Sequence, residues 1–239
     1  MSVFASLVEQ LADLLRPLFG LSAAAAAIIA FTALVRLLVH PLSRAAARGQ
    51  KARAALQPRI AELRRKHGKN PEKLQKAVME LHAEEKVSPL SGCLPSLLQL
   101  PAFFLLYHLF SSGSIGGEPN ALLTHQLLDA PLGGRWADAL ADGGAFGGAG
   151  VVYLGLFAVV AVVAYFSYRL SRRMTEAATA GAGADPQAPG AAAMGEVMKV
   201  MPFMSFFILV TVAVVPLAAA LYVVTSTTWS VIERSVLYR

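Results

Sequence analysis

The stretch Phe31-Thr-Ala-Leu-Val-Arg-Leu-Leu-Val-His-Pro-Leu42 closes a long apolar run and carries a single arginine, Arg36. From Leu18 to Val35 the chain reads as hydrocarbon, and after Pro41 it turns basic and polar. An arginine at the centre of a membrane helix costs roughly 2.5–3.5 kcal/mol on insertion scales. Arg36 lies four residues before His40, the last residue ahead of Pro41, roughly 6 Å at 1.5 Å of rise per residue. A long side chain can snorkel over that distance to the interface. It can equally turn inward, into a wetted groove. Spacing alone leaves both readings open.

Composition extends the membrane reading to the whole chain. Of 239 residues, 56% are hydrophobic and 15% charged, against roughly 45–50% and 25% in soluble domains. The apolar residues fall in continuous runs rather than alternating, so the spans are helical. The fold class expected is all-α: a polytopic membrane protein with a five-transmembrane-helix bundle, a cytoplasmic helical hairpin and an N-terminal interfacial amphipathic helix. The lone cysteine, Cys93, excludes an internal disulfide and reads as a packing residue.

In chain order, residues 1–20 place Val3, Phe4, Leu7, Val8, Leu11, Leu14 and Leu15 at helical spacing with Glu9, Gln10 and Asp13 between them. This predicts an amphipathic helix in the extracytoplasmic interface, broken by Pro17 and Gly20. No basic segment precedes it, so it is not read as a cleaved signal. Span one covers 21–40. Residues 43–90 form the basic hairpin, with helices over 43–67 and 71–86. Asn70 is the expected N-cap and Pro71 the first helical position. Leu56, Ile60 and Leu63 face Leu74, Val78 and Leu81 across its seam. Span two covers 91–110 and holds Pro95, Gln99 and Pro101. Residues 111–148 read as a flexible extracytoplasmic loop with a short helix over 122–128. Span three covers 149–169, a flexible cytoplasmic linker 170–197, span four 198–215 and span five 217–235. Residues 236–239 are a short cytoplasmic tail. Lysine and arginine cluster after spans one, three and five, which puts the N-terminus outside and the C-terminus in the cytoplasm.

Motifs for other functions are missing from the sequence. It holds no Gly-x-Ser-x-Gly, His-Glu-x-x-His, P-loop or dinucleotide fingerprint. The five histidines show no metal spacing. An enzyme is therefore not expected, and neither a metal nor a cofactor. The hairpin lacks the interleaved aromatics of a single-strand nucleic-acid site. What remains is an intramembrane polar set: Arg36, Gln99, Tyr165, Ser167, Tyr168, Tyr222 and the hydroxyls of 225–230, Ser226 and Thr227 among them.

Several motifs, taken together and in order, resemble the YidC/Oxa/Alb membrane protein insertases. They are Leu34-Val-Arg-Leu-Leu-Val-His-Pro-Leu42, Gln57-Pro-Arg-Ile-Ala-Glu-Leu63, Glu84-Glu-Lys-Val-Ser-Pro-Leu-Ser-Gly-Cys-Leu-Pro95, Leu98-Gln-Leu-Pro101, Lys199-Val-Met-Pro-Phe-Met204, and Leu221-Tyr222 with Trp229. The resemblance covers roughly residues 20–235 and is to a minimal, Gram-positive-type member. It implies a bacterial plasma-membrane protein that takes hydrophilic segments of substrates into a cytosol-open groove and releases their apolar helices into lipid. The groove residues implied are Arg36, Gln99, Ser167, Tyr168, Tyr222, Ser226, Thr227 and Trp229. Arg59, Arg64, Arg65, Lys66 and Lys73 of the hairpin would recruit substrate. Implied partners are newly made membrane proteins and membrane lipids, with ribosome and Sec translocon as further candidates. Two other readings fit an intramembrane arginine: a small-solute channel or transporter, and a non-inserting assembly scaffold.

Overall fold

Gly20 adopts a left-handed φ of +54°, a conformation that favours glycine, and there the first helix turns back on the second. The computed structural model describes residues 2–67, 70–87, 104–115, 117–182 and 201–237. Helix α1 spans Ser2–Phe19 and continues through Pro17, so the break falls at Gly20 alone. A short 3₁₀ turn, Gly20–Ser22, leads into α2, Ala23–Ala55. The two helices pack along each other. Val8 and Ala12 of α1 are buried with Ala24, Ala27 and Ile28 of α2, while Leu14 and Leu18 stay exposed.

Helix α2 also departs from expectation, because Pro41 does not end it. A proline inside a helix removes one N–H bond and costs about 3 kcal/mol in isolation, but packing neighbours can offset this. The break comes instead at Leu56, and the hairpin proper is α3, Gln57–His67, with α4, Pro71–Glu84. Asn70 caps α4 by accepting from the Lys73 backbone N–H at 3.0 Å. Leu56, Ile60 and Leu81 form a small core of their own, flanked by Leu63 and Val78. Leu74, expected on that seam, is not part of it.

Helix α5 covers 104–111. The rest of the expected second span, including Cys93 and Gln99, lies outside the described residues. Beyond α5 the loop carries two minimal antiparallel ladders, β1 (Ser114–Ile115) with β2 (Glu118–Pro119) and β3 (Gln126–Leu127) with β4 (Ala130–Pro131). A 3₁₀ turn, Ala121–Thr124, replaces the helix expected over 122–128, and α6 spans Trp136–Ala141. Short polar side chains explain the irregularity, since they take over backbone bonding. Asn120 donates to the carbonyls of Leu109 and Ser112, closing the end of α5.

Helix α7, Gly148–Ala182, runs past residue 170, where a linker was expected. The following chain enters as a 3₁₀ turn, Met201–Phe206, then α8, Phe207–Val214. Val215 and Pro216 separate it from α9, Leu217–Leu237. The first N–H groups of a helix have no partner within it. Here the loop supplies two: Leu217 donates to the Gly134 carbonyl at 2.9 Å and Ala218 to that of Leu132 at 2.8 Å. Tyr153 of α7 donates to the same Gly134 carbonyl at 2.6 Å. The main core lies directly beneath and includes Phe110, Leu132, Tyr153, Leu217 and Tyr222. Among the described residues, two helical stretches are long and apolar enough to cross a membrane, Val3–Ala55 and Gly148–Arg173. The molecule is mostly helical, in keeping with an all-α membrane protein.

Candidate functional site

Arg36 lies on the face of α2 that packs against α9. Helical side chains lean toward the helix N-terminus, so the guanidinium reaches back along α2, away from the basic segment after Pro41. Its Nε donates to the Ser226 hydroxyl at 3.1 Å, and one terminal nitrogen to the Ser226 carbonyl at 3.0 Å. Arg36 is half-buried and Ser226 is buried. Both partners are neutral oxygens. Among the described residues no carboxylate forms a salt bridge with Arg36; the close carboxylate contacts are His40–Glu233 and the Arg59–Glu85 ion pair. Ser226 holds the charge in place, and the Glu233 carboxylate is a further electrostatic neighbour that forms no salt bridge with it.

Tyr222 stands one turn before Ser226 on α9. It is fully buried, packs its ring against Phe110 at 6.0 Å, and is an electrostatic neighbour of Arg36. Past Ser226 the hydroxyls turn to their own helix. Thr227 donates to the Val223 carbonyl at 2.8 Å, Thr228 to that of Val224 at 2.7 Å, and Ser230 to that of Ser226 at 2.9 Å. The Trp229 indole N–H is buried and has no acceptor among the described residues.

A second polar rung lies between the same two helices, and sequence reasoning missed it. His40 Nδ1 is 2.5 Å from a Glu233 carboxylate oxygen, with Glu233 the more buried partner. The signal was available in the spacing. His40 follows Arg36 by four residues and Glu233 follows Ser226 by seven, so each pair shares a helix face.

The other predicted residues lie elsewhere. Ser167 accepts from the Ser205 hydroxyl at 3.2 Å, and Tyr168 packs on Phe203 and Phe206 at 5.1 and 5.9 Å. Both therefore meet the Met201–Phe206 turn. On the hairpin, Arg59 pairs with Glu85, while Arg64, Arg65, Lys66 and Lys73 are exposed. The structure thus brings Arg36, Tyr222 and Ser226 together. Gln99 lies outside the described residues.

The family model described as "60Kd inner membrane protein" matches residues 15–239. The chain belongs to this family, the YidC/Oxa/Alb insertases. Similar curated proteins carry the name membrane protein insertase YidC. The one from Clostridium perfringens is 45% identical over 84 residues, 35% of this chain and 35% of the relative. That of Polynucleobacter asymbioticus is 40% identical over 101 residues, 42% of this chain and 18% of the relative. That of Anaeromyxobacter sp. is 47% identical over 81 residues, 34% of this chain and 15% of the relative. The chain thus spans about a third or less of the curated relatives it matches. The Arg36–Ser226 contact accordingly sits in a bacterial membrane protein of the insertase family.

Proposed function

We propose that this protein inserts other membrane proteins, using Arg36 to draw hydrophilic segments into a groove between α2 and α9. In this reading five spans cross the membrane, the N-terminus lies outside and the C-terminus in the cytoplasm. The groove opens to the cytosol and to lipid and is closed outside.

The observation that carries the proposal is the direction and partnership of Arg36. It donates to neutral oxygens of Ser226 rather than to a carboxylate. In an environment of low effective dielectric, a fixed positive charge 4 Å from a negative one gains roughly 4 kcal/mol at ε near 20. An acidic group on a crossing segment is therefore attracted where hydrocarbon alone would repel it. The guest's own apolar helix then partitions into lipid, and that step drives release without nucleotide or metal. The α3–α4 hairpin, with Arg64, Arg65, Lys66 and Lys73 exposed, would meet substrate, lipid, ribosome or Sec translocon at the inner surface.

Photo-crosslinking from positions 226 and 227 to stalled nascent single-span chains tests this reading. Crosslinks to the chain's polar tail early and to its apolar helix late are expected. Failure to crosslink any nascent helix, with folded partners captured instead, would make the protein an assembly scaffold. Solute flux through proteoliposomes holding no nascent chain would favour the transporter reading.

A further inference from the structure

A second cationic feature lies on α7, away from Arg36, and the insertion mechanism does not use it. Tyr165, Tyr168, Arg169, Arg172 and Arg173 line one cavity of about 470 Å³. Their spacing places them on one stripe of the helix, at three, four, seven and eight residues from Tyr165. From Gly148 to Arg169 the helix rises roughly 32 Å at 1.5 Å per residue, close to the ~30 Å hydrocarbon thickness of a bilayer. The arginines therefore fall at the level of the lipid headgroups.

The walls are held before any ligand arrives. The Arg169 guanidinium stands 5.9 Å over the Tyr165 ring, and Tyr168 is wedged against Phe203 and Phe206. Among the described residues neither Arg169 nor Arg173 has an ion-pair partner. Guanidinium groups bind phosphate through paired N–H bonds, and tyrosines favour the interface. The volume falls within the ~300–1,000 Å³ of small-ligand sites.

We infer that this cavity is a binding site for the headgroup phosphate of an anionic phospholipid. The lipid's acyl chains would lie along the exposed apolar face of α7, which includes Val159, Val162 and Phe166. A bound lipid there fixes the depth of α7 beside the Met201–Phe206 turn. The site requires α7 to cross the bilayer but does not depend on the insertase activity.

The test counts phosphatidylglycerol retained by the full chain. Protein is reconstituted in nanodiscs of phosphatidylcholine with a minor share of phosphatidylglycerol, then released and delipidated for native mass spectrometry. Wild type should retain phosphatidylglycerol over phosphatidylcholine, and R169Q/R173Q should lose that preference by about tenfold, as charge-assisted bonds of this kind predict. R48Q/R53Q removes equal charge from the exposed C-terminal part of α2 and should retain it. R169K/R173K keeps the charge but not the fork, and should fall between. Equal retention in R169Q/R173Q and wild type, or equal loss in R48Q/R53Q, would overturn the site. Full displacement by inorganic phosphate would assign the cavity to a soluble anion instead of lipid.

Discussion

The two halves of α9 are built on opposite principles. From Leu217 to Tyr222 every residue is buried, and the helix start is tied to loop carbonyls of Leu132 and Gly134. From Thr227 to Ser230 the residues are half-exposed, hydroxyl-rich, and adjacent to a charged arginine. The first half is packed like a protein interior, where side-chain shape governs cost. In the second half, hydrogen bonds and charge govern cost. One end of the helix pair is sealed by packing and bonds to loop carbonyls, while at the other the hydroxyls bond back to their own helix beside the Arg36 charge. In the orientation proposed, the sealed end faces outside and the polar end faces the cytosol.

The largest effect is expected from the sealed half. Leu217→Ala removes a fully buried side chain and should cost about 2–5 kcal/mol, read as a lower unfolding midpoint in detergent. An unchanged midpoint would show that this end is not sealed. A smaller effect is expected at the junction. Ser226→Ala removes the hydroxyl that accepts from Arg36 and should cost roughly 1–2 kcal/mol, with the carbonyl bond remaining. Its sharper readout is a reduced yield of inserted reporters at unchanged protein level. Smallest is the second rung. Glu233→Gln discharges the partner of His40, whose side chain is 37% exposed, and the loss in the unfolding measurement should be about 1 kcal/mol or less. A larger loss would make His40–Glu233, and not Arg36–Ser226, the main tie between α2 and α9.

How much of this was legible in the sequence follows from which interactions are local. The apolar runs and the Asn70 cap depend on neighbours along the chain, and they read directly. Arg36 was legible as an anomaly because a charge in hydrocarbon is conspicuous. Its partner was not, because Ser226 is one of several hydroxyls on α9, and only packing selects it. Thr227 and Thr228 look equivalent in sequence but bond back to their own helix. Pro17 and Pro41 misled in the opposite direction. A proline predicts a local break, yet both helices run on through theirs. The loop from 111 to 148 hid its order because the bonds that organise it join distant residues, as Gly134 does for Tyr153 and Leu217.

Arg36 is the charge at the centre of the polar half of α9, and the most direct test varies charge on both sides of its contact with a guest. Single-span reporters with acidic and neutral tails are inserted by wild type, Arg36→Ala and Arg36→Lys in vesicles containing no other insertase. Arg36→Ala should lose roughly tenfold or more on the acidic tail, equivalent to about 1.4 kcal/mol of lost attraction. Insertion of the neutral tail should change little, and Arg36→Lys should recover most of the acidic-tail yield. Equal insertion of the acidic tail by wild type and Arg36→Ala would contradict electrostatic capture.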